Sequence, residues 1–108
     1  MTYKGIIANM VNFAARNKIE KLCKEADIPF TFTEANNTEL TLCKDAVNFS
    51  VDVIVHKGLL NTVPLQVCGY CDEYGNIHPC VVWWYGTKII WTSVQSRREE
   101  LGITEFKI

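Results

Sequence analysis

With 108 residues, 48% of them hydrophobic and 21% charged, the chain has the bulk of one domain and enough apolar material for a core without disulfide or metal staples. No stretch approaches the roughly eighteen consecutive apolar residues of a membrane span, since even the uncharged run from Leu59 to Cys71 is interrupted by Pro64 and Gln66. A formal charge of −1, with lysine and glutamate interleaved, supplies no global field for a polyanion, so nucleic-acid binding would need a local patch.

The N-terminal sequence MTYKGIIANMVNFAARNK spreads its basic residues through an amphipathic pattern and lacks the order of an export signal, so the cytoplasm is the expected compartment and no membrane partner is expected. Five cysteines is an odd count, and in that compartment the thiols are expected to stay reduced. From Gly5 to Ala26 the apolar residues Ile6, Ile7, Met10, Val11, Phe13, Ala14, Ile19, Leu22, Cys23 and Ala26 form a broad stripe near the helical period. Glu20 and Lys24 are spaced for an ion pair on its outer face, the stripe wobbles at Arg16 to Lys18, and Asp27 and Pro29 stop it.

After Pro29 the period changes to two. Phe30 to Thr33 and Leu40 to Leu42 alternate around Ala35, Asn36 and Asn37, a pattern that predicts a hairpin. Val47, Phe49, Val51, Val53 and Val55 then share one face of a strand while Asn48, Ser50, Asp52 and His56 share the other, which makes the first face core and the second wet. Lys57 to Thr62 turns the chain, Val63 to Cys71 returns it and Asp72 to Asn76 turns it again. Ile77 to Tyr85 and Lys88 to Ser93 make the last strands around Gly86. Gln95 to Leu101 predicts a short helix capped at Ser93 or Ser96 and ended by Gly102. The expected architecture is one α+β domain spanning 1–108, with the N-terminal helix packed on a five- or six-stranded, mostly antiparallel sheet and a short C-terminal helix.

Four residues have the composition of a zinc site: Cys68, Cys71, His78 and Cys80. His78 and Cys80 are two apart and share a strand face. Cys68 and Cys71 are three apart and point to opposite faces unless Gly69 hosts a bulge or knuckle, so ordinary buried thiols are the simpler expectation. A catalytic Cys80–His78 pair would need the imidazole within reach of a thiol that sits in an apolar strand beside Val81 and Val82. Asp45, Asp52, Gln66 and Cys68 echo a metal-dependent nuclease arrangement, but Gln66 and Cys68 supply neither the charge nor the lysine it requires. The six glycines are scattered singly, without a phosphate-binding loop.

The strongest remaining feature is aromatic. Trp83 and Trp84 are adjacent in a strand and must point to opposite faces, Tyr85 follows, and Trp91 shares the odd-numbered series of the next strand with Ile89. One face covered by the N-terminal helix leaves the other carrying tryptophan, tyrosine and isoleucine, unless the C-terminal helix covers them. The expected function is therefore a non-enzymatic binding protein, of the kind found among regulators and among phage or mobile-element inhibitors of a host protein. It would use Trp83, Trp84, Tyr85, Trp91, Arg97 and Arg98 against a protein partner or a second copy. The alternative is a zinc-stabilised or nucleic-acid-binding module, with Cys68, Cys71, His78 and Cys80 on the metal, Trp84 and Tyr85 stacking on bases, and Lys88, Arg97 and Arg98 on phosphates. Glu99 and Glu100, directly after the arginines, weaken that basic patch.

Overall fold

The computed structural model describes residues 3–108, with Phe32 described in its backbone only. Tyr3–Glu25 form one uninterrupted helix, α1. Its buried stripe, Ile7, Val11, Ala15, Ile19, Leu22 and Cys23, keeps the helical period through the expected wobble. The polar residues there find lateral partners instead of breaking the helix. Arg16 pairs with Glu20 at 3.3 Å, so the ion pair of Glu20 is with the residue one turn back and not with Lys24. Lys18 lays its ammonium 4.1 Å from the centre of the Trp91 ring. The helix ends in a Schellman motif, in which Asp27 takes a left-handed conformation (φ 55°) while Asp27 N–H and Ile28 N–H donate to the carbonyls of Lys24 and Cys23.

Five strands follow: β1 (Phe32–Leu42), β2 (Val47–His56), β3 (Thr62–Cys71), β4 (Ile77–Trp84) and β5 (Lys88–Thr92). They form one open sheet in the order β1-β2-β3-β4-β5, every neighbour antiparallel, as connections too short for parallel crossovers require. The expected hairpin around Ala35 to Asn37 is corrected to a single long strand. Asn37, at φ 49°, is absorbed as a bulge between Asn36 and Glu39 against β2, so the turn-forming asparagines bend β1 without reversing it.

The predicted alternation on β2 holds. Phe49, Val51, Val53 and Val55 are buried, and β3 answers with Val63, Leu65 and Val67 through a continuous register that pairs Val51 with Val67 and Val53 with Leu65. These side chains meet the buried stripe of α1, together with Val82, Ile90 and Phe106, in one core. At about 1.5–3 kcal/mol for each fully buried aliphatic side chain, this layer is the main source of stability.

The remaining chain closes that same side. Gln95–Leu101 form α2, whose C-cap Gly102 is left-handed at φ 71°; its N-cap is Val94, without a side-chain hydrogen bond, which corrects the expected cap at Ser93 or Ser96. The tail beyond α2 drops Phe106 into the core, and Lys57 Nζ donates to the backbone oxygen of Ile108 at 3.5 Å. No helix among the described residues is long and apolar enough to cross a membrane.

Candidate functional site: the open face of the sheet

The register sorts the strand residues into two faces. On the side away from α1, β1 presents Glu34, Asn36 and Glu39, β2 presents Ser50, Asp52 and Ile54, and β3 presents Pro64, Gln66, Cys68 and Tyr70. On β4 and β5 the same face continues with His78, Val81, Trp83, Ile89 and Thr92, the last of them buried at the β5 end. Trp83 is the cross-strand neighbour of Gln66, which pairs in turn with Asp52, so a row of acid, amide, indole and Ile89 crosses four strands. Trp83 is only partly exposed, held between its neighbours on the pleated surface.

Two bulges decide where the aromatic residues go. Cys68 pairs with Val81 but Gly69 pairs with Pro79, which leaves Cys80 as the extra residue on β4. Val82 pairs with Trp91 but Trp83 pairs with Ile89, which leaves Ile90 as the extra residue on β5. The second bulge breaks the odd-numbered series. Ile89 stays on the open face, whereas Trp91 turns to the helix side, under Lys18 and beside Leu22 and Ala26. Trp84, opposite Leu65, also lies on the helix side but at the sheet end, where it is 41% exposed. Tyr85 (φ 39°) stands in the β4–β5 turn, and with Gly86, Asp52 and Gln66 it lines a hollow of about 220 Å³ on the open face. Of the four candidate aromatics, then, the structure brings Trp83 and Tyr85 to one surface and sends Trp84 and Trp91 to the other.

The basic candidates lie elsewhere. Arg97 pairs with Glu100 at 3.2 Å, and Arg98 lines a cleft with Trp91 and Glu25 on the helix side. Lys88, opposite Trp84, borders a groove of about 480 Å³ between β5 and the tail, which Trp83 and Ile89 also line. Trp84, Tyr85, Lys88, Arg97 and Arg98 do not form one basic, aromatic surface.

The four candidate zinc ligands are also divided. Cys68 stands on the open face beside Ser50, while Cys71, three residues on in an unbroken register with β2, is buried on the helix side. His78 stacks on Tyr70 with 4.7 Å between ring centres and bonds through Nε2 to Asp72 Oδ2 at 2.9 Å. Cys80 Sγ donates to the carbonyl of His78 at 3.2 Å and not to its ring. Among the described residues no three of the His, Cys, Asp or Glu side chains converge as a metal-binding group.

Three of the thiols, Cys23, Cys68 and Cys71, are held towards the neutral form. Burial pushes the Cys23 thiol up to about 11. Burial also raises Cys68, opposed by a hydrogen bond with Ser50, and raises Cys71, helped by the charge of Asp72. Asp72 moves the other way. Its bond to His78, followed by the backbone N–H of Asn76, lowers its carboxyl to about 2. Asp72 Oδ1 accepts the N–H groups of Tyr74 and Asn76 at 2.9 Å, so this carboxylate and imidazole fasten the β3–β4 turn.

Sequence reasoning missed the acid and amide half of the open face. Asp52 accepts from Asn37 Nδ2 at 3.2 Å, a contact that exists only because the bulge carries Asn37 over to β2. The alternation on β2 marked Asp52 as solvent-facing, but its distance from Trp83 depends on strand order and register, which no local pattern encodes. Compared with known proteins, the chain matches no protein-family model, no curated protein and no solved structure.

Proposed function

We propose that this chain is a non-enzymatic binding protein that holds a protein partner, or a second copy of itself, against the open face of its sheet around Trp83 and Tyr85. The observation that carries the reading is the position of Trp83. α1 fills the other side, α2 packs on β5, and Trp83 stays partly exposed with its neighbour Ile89, the two lining a groove whose far wall is the C-terminal segment at Leu101, Ile103 and Lys107. Tryptophan and tyrosine at the centre of a surface patch are the usual energetic anchors of interfaces. The thiols support the same reading, because a cysteine enzyme needs an accessible, ionisable sulfur facing a base, and Cys80 faces a carbonyl. The cytoplasm belongs to the same proposal, as the compartment in which an odd number of thiols stays reduced.

The test is quantitative capture from a cytoplasmic extract with the wild-type chain and with Trp83→Ala, alongside sedimentation of both. A partner, or a self-association, that Trp83→Ala weakens by about 2 kcal/mol or more, with folding intact, is the expected outcome for a hot spot. Equal capture and identical sedimentation by the two chains would sink the reading.

A further inference from the structure

Charge on the open face narrows the partner further. None of the strand residues that the register places on that face is lysine or arginine, while Glu34, Glu39 and Asp52 are all there. The basic residues stand on α1, in the turns, at the start of β5, on α2 and in the tail. The chain is near neutral as a whole, so this segregation makes the open face locally acidic. It repels two groups of partners. A nucleic-acid backbone meets like charge, and two copies laid face to face would bring two sets of these carboxylates into one interface.

A hollow with a carboxylate in its lining lies within this face. Asp52, Gln66, Tyr85 and Gly86 line its roughly 220 Å³. Asp52 accepts a hydrogen bond from Asn37, whereas a carboxylate has about four acceptor sites. Tyr85, 67% exposed, offers a ring to the same space, and Trp83 is the cross-strand neighbour of Gln66. A carboxylate and an amide oxygen beside aromatic rings is the chemistry that takes an ammonium or guanidinium group.

Building on the reading of the open face as the binding surface, we propose that the partner is a protein that seats a basic side chain, arginine or lysine, between Asp52, Gln66 and Tyr85, with apolar contacts continuing over Trp83 and Ile89. Arginine is the better fit, because its planar fork bonds a carboxylate and stacks on a ring at once.

The experiment is an amide and indole NMR titration of the isotope-labelled full chain. The probes are N-acetyl-arginine methylamide, N-acetyl-lysine methylamide, N-acetyl-glutamate methylamide, N-acetyl-leucine methylamide and a ten-nucleotide oligothymidine. The arginine probe should shift Asp52, Gln66, Gly86 and the Trp83 indole most, the lysine probe less, and the glutamate and oligothymidine probes not at all. Asp52→Asn, which keeps the shape and removes the charge, should weaken the arginine response about tenfold. Shifts at Trp83 with the leucine probe but none with the cations would overturn the basic side chain and leave the docking face standing. Absence of open-face shifts with every probe, or an arginine response unchanged in Asp52→Asn, overturns the proposal. Open-face shifts with oligothymidine would replace it with a nucleic-acid partner.

Discussion

The two faces of this sheet are drawn from the same strands, residue by alternate residue, and they differ in what surrounds them. On the helix side, Val51, Val53, Val55, Leu65, Val67 and Val82 are each 1% exposed or less, and α1, Ile90 and Phe106 complete the layer. On the open side, acids, amides and a tryptophan share the surface with Ile54, Pro64 and Val81, bordered by α1 at the β1 edge and by the C-terminal segment at the β5 edge. Stability is thereby assigned to one side of the backbone, and the proposed recognition to the other. A substitution on one face should leave the property of the other nearly intact.

The largest expected contrast pairs Leu65→Ala with Trp83→Ala. Leu65 is 1% exposed and contacts the core, so its truncation should cost about 3 kcal/mol, from lost burial and the cavity left behind. Trp83→Ala removes a larger but only partly buried side chain from the other face and should cost no more than about 1 kcal/mol. Urea unfolding of the two variants measures both. A comparable loss from Trp83→Ala would mean that Trp83 is core and that the two sides are not separate.

Gly69 tests the seam between the faces. A methyl group at that position would run into the backbone oxygen of His78 and lie 2.8 Å from the Phe49 ring, neither of which can give way without moving β4 or the core. Gly69→Ala should therefore cost about 2 kcal/mol, in the range of overpacking, and should disturb the bulge at Cys80. Unfolding midpoints together with backbone shifts of β4 check it. A neutral effect would show that the close approach of β3 and β4 is relaxed in solution.

How far these faces were legible in the sequence follows from range. α1, β2 to β5 and α2 were readable to within a residue or two, because periodicity of 3.6 or 2.0 is local and Asp27, Gly86 and Gly102 punctuate it. β1 was misread as a hairpin because Asn36 and Asn37 carry a turn's chemistry, and only pairing with β2 through nine residue pairs makes a bulge the cheaper outcome. The separation of Trp91 from Ile89 was illegible for the same reason. An extra residue at Ile90 is invisible to an alternation rule and visible only against Val82 and Trp83 on the neighbouring strand. The Cys68 and Cys71 pair went the other way, since an unbroken register keeps three-apart residues on opposite sides, as strand parity requires.

Acid should act on the turn that joins β3 to β4 before it acts on the core. The carboxyl of Asp72 is lowered to about 2 by His78 first and by the Asn76 N–H next, against an ordinary value of 3.8. A depressed pKa stabilises the fold above the unfolded value, and the contribution is lost as pH falls from about 4 through about 2. Urea midpoints should decline over that window in the wild type, and Asp72→Asn should lower the plateau and flatten the decline. Parallel curves for the two proteins would show that Asp72 is not the group responsible.

The smallest expected effect is a gain. Thr33 stands on β1 opposite Val55, fully buried on the helix side, and its Oγ1 is a buried polar atom without a hydrogen-bond partner in the structure. A hydroxyl taken from water without compensation costs stability, and valine has nearly the same shape with a methyl group in its place. Thr33→Val should therefore stabilise the fold by about 1 kcal/mol, seen as a higher urea midpoint with an unchanged slope. It should leave the response of Asp52 and Trp83 to the arginine probe untouched, because Thr33 projects to the helix side while those two lie on the open face. A stabilised protein with altered binding would show that the faces are coupled through β1, whose bulge at Asn37 holds the carboxylate of Asp52.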